Sequence, residues 1–405
     1  MADALPLADV RILDFMWVMA GPASTRMLAD YGATIVRIES PTRVDTARTL
    51  QPFHNNTAGP DSSGLFNNCN AGKMGIALDL GNPKSREVVH DLLQWAQVVT
   101  ESFSPKAMRA WGYDYESLRK LKPDIIMLST CLMGQNGPLS KIAGFGNMAA
   151  AISGFHNLTG WADRPPAGPF GAYTDYVSPR FTAMAIIAAL DHHRRTGEGQ
   201  YIDQSQAEAS LHFLAPAILD YTANGRVQGR VGNTDRESSP HGVYPVVGED
   251  RWIAIVCETD AQWRALCSVI NRKDLASHPR LSTVAGRREN AAEIDAAISD
   301  WTSGMGPGAA EAHLQAKGVP AHQVQNSAQA ARDPQLAYRG HFVEVNHSTL
   351  GKTTVEGPRA HFSRTPAQVR SAGPSLGEHN QYVLEKILGY DDEKITDLVA
   401  AGVFG

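Results

Sequence analysis

The stretch GPFGAYTDYVSPRFTAMAIIAALDHHRRTGEGQYIDQSQ, residues 168–206, predicts one long helix together with the turns on either side of it. An apolar run, Phe181–Leu190, follows a Gly-rich turn and precedes the basic segment His192–Arg195 and a Gly-Glu-Gly breaker. Because Pro179 has no amide hydrogen and fits the first turn of a helix, we expect the helix to begin within a few residues of Asp175. The basic residues then lie at its C-terminal end, where the helix dipole favours positive charge.

Asp175 is thus predicted at or just before the N-terminus of this helix. Unpaired amide groups and the positive end of the dipole favour an ionised carboxylate there. Two interpretations fit this position. A capping aspartate is the commoner one, since caps are frequent and nucleophilic carboxylates are rare. The functional one is a carboxylate at the mouth of a site, used as a nucleophile.

The composition is that of an ordinary globular protein that is too long for a single core. Of the 405 residues, 43% are hydrophobic and 20% are charged, and the net charge is −5. Chains of this length divide into domains, so we expect two of them. The negative net charge, with no basic run interleaved with aromatic residues, argues against nucleic-acid binding.

Targeting, membrane and metal signals are weak in this sequence. There is no apolar run of about 18 residues or more, and MADALPLADVRILDF lacks the pattern of a signal peptide, so we expect a cytoplasmic protein. The four cysteines are scattered without a C-x-x-C pair and are expected to be reduced and structural. No H-E-x-x-H motif occurs, so we expect no metal.

The first part of the chain alternates strands and helices. Val10–Phe15 and Ala33–Glu39 are predicted strands on either side of a helical segment, Ala23–Tyr31, which together form a βαβ unit with parallel strands. The first turn carries a single Gly-Pro and not G-x-G-x-x-G, so the dinucleotide fingerprint is absent. The alternation continues to about residue 200 and predicts a doubly wound α/β domain.

The later part of the chain has a different organisation. Residues 201–221 are predicted to be helical, and residues 224–242 form a polar, Gly-rich connector. A second unit of strands and helices follows over residues 243–319. Residues 378–400 are a predicted helical tail in which Asp391 is a cap.

Five segments resemble the class III CoA-transferase family of the formyl-CoA transferase type. They include VRILDFMWVMAGPASTRMLADYGATIVRIE at residues 10–39 and ESFSPKAMRAWGYDYESL at residues 101–118. The others are residues 69–80, residues 196–209 and the tail GPSLGEHNQYVLEKILGYDDEKITDLVAAGVF at residues 373–404. One such motif would be weak, whereas five in the same order over nearly the whole chain are specific.

The resemblance implies an α/β fold with a Rossmann-like large CoA-binding domain and a smaller α+β domain. The large domain is placed at residues 1–205, a linker at 206–242 and the small domain at 243–325. Residues 326–405 are then a linker and a C-terminal segment that returns to the large domain. The family also implies a dimer of interlocked rings, so the expected partner is a second copy of this chain or a homologous subunit.

The resemblance further implies a reaction that moves CoA from an acyl-CoA donor to a carboxylic acid. The family's nucleophile is an aspartate just before a helix that follows a Gly-rich turn, and Asp175 matches it. Attack on the thioester gives an aspartyl anhydride and CoA thiolate, which then forms an aspartyl-CoA thioester. This covalent route conserves the free energy of the thioester and excludes water. Amide groups of nearby turns are expected to stabilise the oxyanions.

CoA contacts of the family fall on several turns of this chain, and basic residues beside them are candidate phosphate partners. For each basic side chain a solvated surface charge is an equally good interpretation. The implied CoA-binding residues are Val18, Met19, Ala20, Lys73, Leu78, Asp79, Ser102, Phe103, Ser104, Lys106, Arg109, Phe145, Gly146 and Asn147.

Departures from the family pattern bear on the substrate. The family often has Gly-Tyr-Asp where this chain has Gly144-Phe145-Gly146, and the Gly-rich loop of formyl-CoA transferase is replaced by RESSPHGVYP at residues 236–245. These features resemble relatives that use succinyl-CoA or another dicarboxyl-CoA. Arg236 and His241 are then candidate partners of the acceptor carboxylate, although His241 is equally well interpreted as a turn residue.

Two alternatives remain open at this point. An acyl-CoA racemase or epimerase on the same fold would need an acid and a base on opposite faces of the substrate. Phe145 and Gly146 cannot transfer protons, which disfavours that reading. The other alternative is one subunit of a hetero-oligomeric CoA-transferase, including a catalytically silent subunit, and the presence of Asp175 argues against silence.

Overall fold

The computed structural model describes residues 5–405. Its strands are short and fall in three groups along the chain, one for each sheet. In chain order they are β1 (Arg11–Asp14), β2 (Thr34–Glu39), β3 (Met74–Ala77), β4 (Val98–Glu101), β5 (Ile126–Cys131), β6 (Tyr201–Ser205), β7 (His241–Pro245), β8 (Trp252–Val256), β9 (Ala321–Gln323), β10 (Phe342–His347) and β11 (Gly351–Glu356).

Helices connect these strands and cover them. They are α1 (Ala20–Asp30), α2 (Gly64–Cys69), α3 (Ser85–Trp95), α4 (Ala107–Trp111), α5 (Tyr115–Leu121), α6 (Gly146–Ile152), α7 (Phe155–Leu158), α8 (Tyr173–Thr196), α9 (Gln206–Leu211), α10 (Ala215–Asn224), α11 (Asp260–Val269), α12 (Lys273–Ser277), α13 (Val284–Glu289), α14 (Ala291–Thr302), α15 (Pro307–Gln315), α16 (Ser327–Ala330), α17 (Pro334–Tyr338), α18 (Asn380–Tyr382) and α19 (Asp392–Ala400). A π-helical turn, Val383–Ile387, follows α18, and short 3₁₀ turns occupy Thr46–Thr49, His54–Asn56, His212–Leu214 and Pro279–Leu281.

A six-stranded parallel sheet is the centre of the first group, with the order β3-β2-β1-β4-β5-β6. The predicted strand–helix–strand unit at the N-terminus is confirmed within a few residues at each boundary by β1, α1 and β2. Leu13 pairs with Val36 on one side and with Val99 on the other. The strand order reverses between β1 and β4, which creates a crevice at the C-terminal ends of these two strands.

Alternation of side chains gives this sheet two buried faces. Leu13, Val36 and Val99 belong to one core, which α3 and α5 cover. Their neighbours along the strands belong to the other core, which contains residues of α1 and α8. With both faces covered, α8 is held against the middle of the sheet, and its first turn carries Asp175.

Contacts between residues divide the chain into two compact units. The first comprises the described residues up to His156 together with Gly168–Val227 and Pro334–Gly405, and the second comprises Asn157–Ala167 and Gln228–Asp333. The boundaries expected from the sequence, at residues 205, 242 and 325, stay a prediction.

Within residues 5–405, no helix combines the length and the apolar character that crossing a membrane requires.

The second unit is built on a small antiparallel sheet of order β7-β8-β9. Tyr244 pairs with Ile253 between the first two strands. Ile253 and Ile255 of β8 are buried in a core with Trp263 of α11 and residues of α14 and α15. A capping box begins α11, since the Thr259 side chain and Gln262 satisfy each other's backbone amides.

Two local expectations were wrong. Pro179 is not in the first turn of α8 but inside the helix, since α8 begins at Tyr173. Residues 201–205 are not helical: they form β6, which pairs in parallel with β5, for example Ile202 with Leu128. Residues 201–205 are too few for their periodicity to distinguish a strand from a helix. Their pairing with β5, which is distant in the chain, makes them a strand.

The tail packs into the core of the first unit. Val383, Leu384, Leu398 and Val403 are buried in the same cluster as Leu13 of β1. Asp391 caps α19 as expected, because its side chain accepts a hydrogen bond of 2.9 Å from the amide of Lys394.

Candidate active site

Asp175 lies in the first turn of α8 and is only 6% exposed. The N-cap residue of the helix is Ala172, which makes no side-chain capping hydrogen bond. Pro179, four residues after Asp175, has no amide hydrogen to donate to the main-chain carbonyl of Asp175. The Asp175 carboxylate accepts a hydrogen bond from the side chain of Gln206. This aspartate is therefore not the cap of its helix.

A short chain of hydrogen bonds surrounds the Asp175 carboxylate. Gln206 Nε2, at the start of α9, donates to Asp175 Oδ1 and over 2.8 Å to Thr174 Oγ1. The Thr174 hydroxyl in turn donates over 2.9 Å to the carbonyl oxygen of Gly146. A Cβ atom at position 146 would lie 2.5 Å from Asp175 Oδ1, so this packing requires glycine.

Burial dominates the acidity of Asp175. It raises the pKa of the carboxyl from 3.8 to about 6, and the hydrogen bond from Gln206 acts in the opposite direction by favouring the charged form. At pH 7 the group is still mostly ionised. A poorly hydrated carboxylate is a more reactive nucleophile than one in bulk water.

Asp175 and Gln206 line a cavity of about 200 Å³, which we call the Asp175 cavity. Its walls come from the segments that follow β1, β4 and β5, namely residues 17–21, 102–105 and 130–132, and from residues 140–145 before α6. These are neighbouring strands on both sides of the point where the strand order reverses. Parallel sheets commonly bind ligands at this place.

A larger cavity of about 870 Å³, which we call the aromatic cavity, adjoins the first. The two share Trp17, Val18, residues 102–104 and residues 143–145 in their linings. Phe103 is central to the shared wall: its ring lies 5.8 Å from that of Trp17 and 5.3 Å from that of Trp111, both edge-on. The size is within the range of roughly 300–1,000 Å³ that is usual for small-molecule sites.

Buried charges fix the backbone at the junction of the two cavities. Val18 has a φ of 68°, a left-handed conformation that is unfavourable for a β-branched residue. Its amide donates to both oxygens of Asp45, over 3.0 and 3.1 Å. Asp45 is fully buried and pairs with the guanidinium of Arg37, which is fully buried as well. This ion pair holds the turn that leads into α1.

Glu101 supports the turn on the other side of the junction. It accepts a 2.6 Å hydrogen bond from the amide of Phe103 and one of 3.2 Å from Gln135. Burial raises the pKa of Glu101 to about 7, although hydrogen bonds from Ser129 and Phe103 favour its charged form. Ser102 completes this support, since its hydroxyl accepts a 3.0 Å hydrogen bond from the amide of Trp17.

Comparison with known proteins decides the family. The model of CoA-transferase family III matches residues 7–380. The chain belongs to this family. It is accordingly an enzyme of the CoA-transferase class, and CoA is the group carried by its substrates.

Several relatives within CoA-transferase family III match nearly the whole chain. Succinyl-CoA–D-citramalate CoA-transferase of Chloroflexus aurantiacus is 30% identical, covering 98% of both chains. The beta subunit of succinyl-CoA–L-malate CoA-transferase of the same organism is 31% identical over 97% of each. Succinate–glutarate CoA-transferase of Agrobacterium fabrum is 32% identical over 94% of this chain and 96% of its own.

A solved structure has the same fold. The CAIB/BAIF family protein from Brucella suis superimposes with a TM-score of 0.86 at 29% identity. The match covers 95% of this chain and 100% of that one.

Most of the residues expected to bind CoA lie together. Val18, Leu78, Asp79, Phe145 and residues 102–104 line the aromatic cavity, and Met19 and Ala20 line the Asp175 cavity. The linings of these two cavities do not include Lys73, Lys106, Arg109, Gly146 or Asn147.

The basic residues expected to bind phosphate are placed differently from one another. Lys73 is buried, and its ammonium donates over 3.1 Å to Asp14 and over 3.0 Å to Asn70. Burial lowers the pKa of Lys73 to about 8, while Asp14 favours its charged form. Its charge is thus engaged in the core. Lys106, directly before α4, and Arg109, within it, are exposed.

Arg236 and His241 belong to the second unit. His241 is the first residue of β7, and its Nδ1 lies 2.6 Å from the carbonyl oxygen of Asn233. It lines two cavities of that unit, of about 150 and 480 Å³. The carbonyl of Arg236 accepts a hydrogen bond of 3.5 Å from Arg288.

Four residues near the cavities were not foreseen. Gln206 was assigned to a helix and had no visible link to Asp175. Trp17, Trp111 and Arg43 line the aromatic cavity, and Arg43 is the one basic side chain in the lining that the structure describes. The signal for Trp17 and Arg43 was their place within a few residues of the ends of predicted strands, where ligand sites of parallel sheets lie. Within residues 5–405, no group of three His, Cys, Asp or Glu side chains could hold a metal ion.

Proposed function

We propose that this protein transfers CoA from succinyl-CoA, or another dicarboxyl-CoA, to a carboxylic acid through covalent intermediates on Asp175. The observation that carries the proposal is the position of Asp175. A buried carboxylate with a pKa of about 6 lines a cavity whose wall is shared with a larger, aromatic one. Such a pair of cavities suits a long substrate whose reactive end meets a nucleophile.

The proposed reaction begins with attack of an Asp175 oxygen on the thioester carbonyl. The C–S bond breaks, which gives an aspartyl anhydride and CoA thiolate. The thiolate then attacks Cγ of Asp175, the donor acid leaves as a carboxylate, and an aspartyl-CoA thioester remains. The acceptor acid reverses these two steps and leaves as its CoA thioester. Each step exchanges one anionic nucleophile for one anionic leaving group, so no proton transfer is needed.

The aromatic cavity is the proposed seat of CoA. Phe103, flanked by Trp17 and Trp111, offers ring faces and edges to the adenine or to the pantetheine arm. Arg43 is the proposed partner of a phosphate from inside the lining, and the exposed Lys106 and Arg109 are proposed partners at the surface. The remaining expected contacts are Val18, Met19, Ala20, Leu78, Asp79, Ser102, Ser104, Phe145, Gly146 and Asn147.

Dicarboxylic acids are the proposed substrate class. The relatives described above are named for succinyl-CoA or succinate and for citramalate, malate or glutarate. Each of these four free acids carries two carboxylates, and succinyl-CoA keeps one beside its thioester. A second carboxylate must be neutralised by the protein if it is to leave water. Arg236 and His241 remain the proposed partners of the acceptor carboxylate.

The proposed assembly is an interlocked-ring dimer of two copies, or of this chain with a homologous subunit. No residue of α10 is buried, although Leu219 and Tyr221 are large apolar side chains that are 62% and 57% exposed. Exposed apolar surface of this kind is typical of an interface. One relative is named as a beta subunit, so an assembly with a homologous subunit stays part of the proposal.

The strand order of the large sheet supports the Rossmann-like description of the large domain.

Little in this chain favours the alternative, an acyl-CoA racemase or epimerase. A second proton-transferring side chain would have to oppose Asp175. Position 146 has no space for any side chain beside Oδ1 of Asp175, and Phe145 has no titratable group. Exchange of deuterium at Cα of a branched acyl-CoA, with no acceptor acid present, would support the alternative.

The test combines a substrate panel with a chemical trap. The protein is incubated with succinyl-CoA and each of several mono- and dicarboxylic acids, and transfer is measured by mass spectrometry. Hydroxylamine added during turnover should convert the acylated Asp175 to a hydroxamate. The Asp175→Ala variant should bind CoA with similar affinity and should not transfer it. Transfer by that variant would exclude the covalent route.

A further inference from the structure

Gln206 lies where β6 ends and α9 begins, in the wall of the Asp175 cavity. It is only 7% exposed, and its amide touches the proposed nucleophile directly. We propose that Gln206 is a catalytic residue that stabilises the oxyanion formed on Asp175 Oδ1 when CoA thiolate attacks the acylated aspartate. This inference rests on the covalent route proposed above.

The neighbours of Gln206 determine that its nitrogen faces Asp175. The Thr174 hydroxyl donates its hydrogen to the carbonyl of Gly146, so Thr174 Oγ1 can only accept from Gln206. The ionised Asp175 carboxylate also only accepts. Both atoms next to the Gln206 amide therefore require an N–H, and Nε2 supplies its two hydrogens to them. The donor is held in place before any substrate binds.

The same bond determines which Asp175 oxygen reacts. Oδ1 is held by Gln206, so Oδ2 is the oxygen that becomes the bridge of the anhydride, and Oδ1 becomes the carbonyl oxygen. When the thiolate forms its bond to Cγ, the electron pair of the carbonyl moves to Oδ1. The pair then re-forms the carbonyl, the bond from Cγ to the bridging oxygen breaks, and the donor acid leaves with the negative charge.

A donor at this place acts more strongly on the transition state than on the state before it. In the anhydride Oδ1 is a neutral carbonyl oxygen, and during attack it gains nearly a full negative charge. The hydrogen bond from Gln206 strengthens accordingly, and no reorganisation is needed in a buried site. Removing one such donor typically lowers kcat by about 10²–10³-fold.

Gln204, two residues earlier on β6, offers a matched control. Its Nε2 donates over 3.1 Å to Ser178 Oγ and over 3.4 Å to the Ser178 carbonyl, also on α8. The lining of the Asp175 cavity does not include Gln204. A substitution at Gln204 removes a comparable contact between β6 and α8 but no contact with Asp175.

The experiment compares Gln206→Leu, Gln206→Glu and Gln204→Leu with the unmodified protein. Steady-state measurements with succinyl-CoA and an acceptor acid give kcat, KM and the pH profile, and hydroxylamine trapping reports acylation of Asp175. We expect Gln206→Leu to lower kcat by about 10²-fold or more, with KM for succinyl-CoA within threefold. The acidic limb of its profile should move to higher pH, because the carboxylate loses a hydrogen bond.

Gln206→Glu should be slower still near pH 8, because a second carboxylate then faces Asp175. Gln204→Leu should stay within threefold of the unmodified protein. Either Gln206 variant decides the question if the other does not fold. A Gln206 variant that keeps kcat and the acidic limb, while Asp175 is still trapped in the unmodified protein, overturns this proposal and leaves the proposed function standing. Failure to trap Asp175 in the unmodified protein overturns both.

Discussion

Replacing Asp175 with asparagine should abolish transfer and yet stabilise the folded protein at neutral pH. The ionised carboxylate is held in a poorly hydrated place, and the folded state resists that ionisation. In Asp175→Asn the side chain keeps its size, and its Oδ1 can still accept from Gln206. The variant therefore removes the charge and leaves the contacts.

The magnitude follows from the pKa. The rise from 3.8 to about 6 corresponds, at about 1.36 kcal/mol per pH unit, to about 3 kcal/mol. Because the pKa of the folded state is the higher one, the stability contributed by Asp175 is fully present below pH 3.8 and is lost as the pH rises through about 6. The free energy of unfolding of the unmodified protein is thus lowered by nearly the whole of this amount at pH 7 and by little of it at pH 4.

Thermal unfolding of both proteins at one concentration measures this effect. The stabilisation by Asp175→Asn should be about 2 kcal/mol larger at pH 7 than at pH 4. With an unfolding entropy of about 2.1 cal/mol/K per residue for 405 residues, about 3 kcal/mol corresponds to about 3–4 °C in Tm. Comparing the two pH values cancels any difference between asparagine and protonated aspartate.

A stabilisation that is the same at both pH values, or a variant that is less stable at pH 7, would refute the reasoning. The aspartate would then be hydrated in the folded protein, and burial would not set its pKa. The pH dependence of kcat/KM on its acidic side gives an independent measure of the pKa of Asp175. Activity should fall about tenfold per pH unit below about pH 6.

Three further substitutions test other parts of the protein. Gly146→Ala puts a Cβ 2.5 Å from Asp175 Oδ1, and the displaced carboxylate should lower kcat by about 10²-fold in steady-state assays at saturating succinyl-CoA. Asp45→Ala frees the amide of Val18 and deprives buried Arg37 of its nearest partner, so urea unfolding should show a loss of about 3–5 kcal/mol. A loss under 1 kcal/mol would contradict that role. Asp391→Ala removes a helix cap and should cost about 1 kcal/mol with kcat unchanged, and a changed kcat would connect the tail to the site.

The sequence predicted the features that depend on local pattern. The strands and helix at the N-terminus follow from periodicity and glycine placement. The place of Asp175 near a helix start was predicted from Pro179, although this proline lies inside α8 and not in its first turn. The family resemblance added the proposed nucleophile and the turns that meet at the C-terminal ends of β1 and β4.

What was missed depends on pairing between distant segments. β6 has too few residues to show a period, and only its pairing with β5 makes it a strand and brings Gln206 to Asp175. The burial of Lys73 has the same origin, since Asp14, its partner, lies 59 positions away in the chain. A basic residue next to a glycine-rich turn looks the same in sequence whether it meets a phosphate or a buried carboxylate.

The contribution of the tail to the first core has a consequence for synthesis on the ribosome. The cluster around Leu13 is incomplete until Val383, Leu398 and Val403 have left the exit tunnel. The second unit, by contrast, is mostly one continuous segment, Gln228–Asp333, with its own core. We expect nascent chains that stop near residue 370 to protect this segment from protease and to leave the residues of the large sheet open to cleavage, because residues 383–403 complete the core of that sheet.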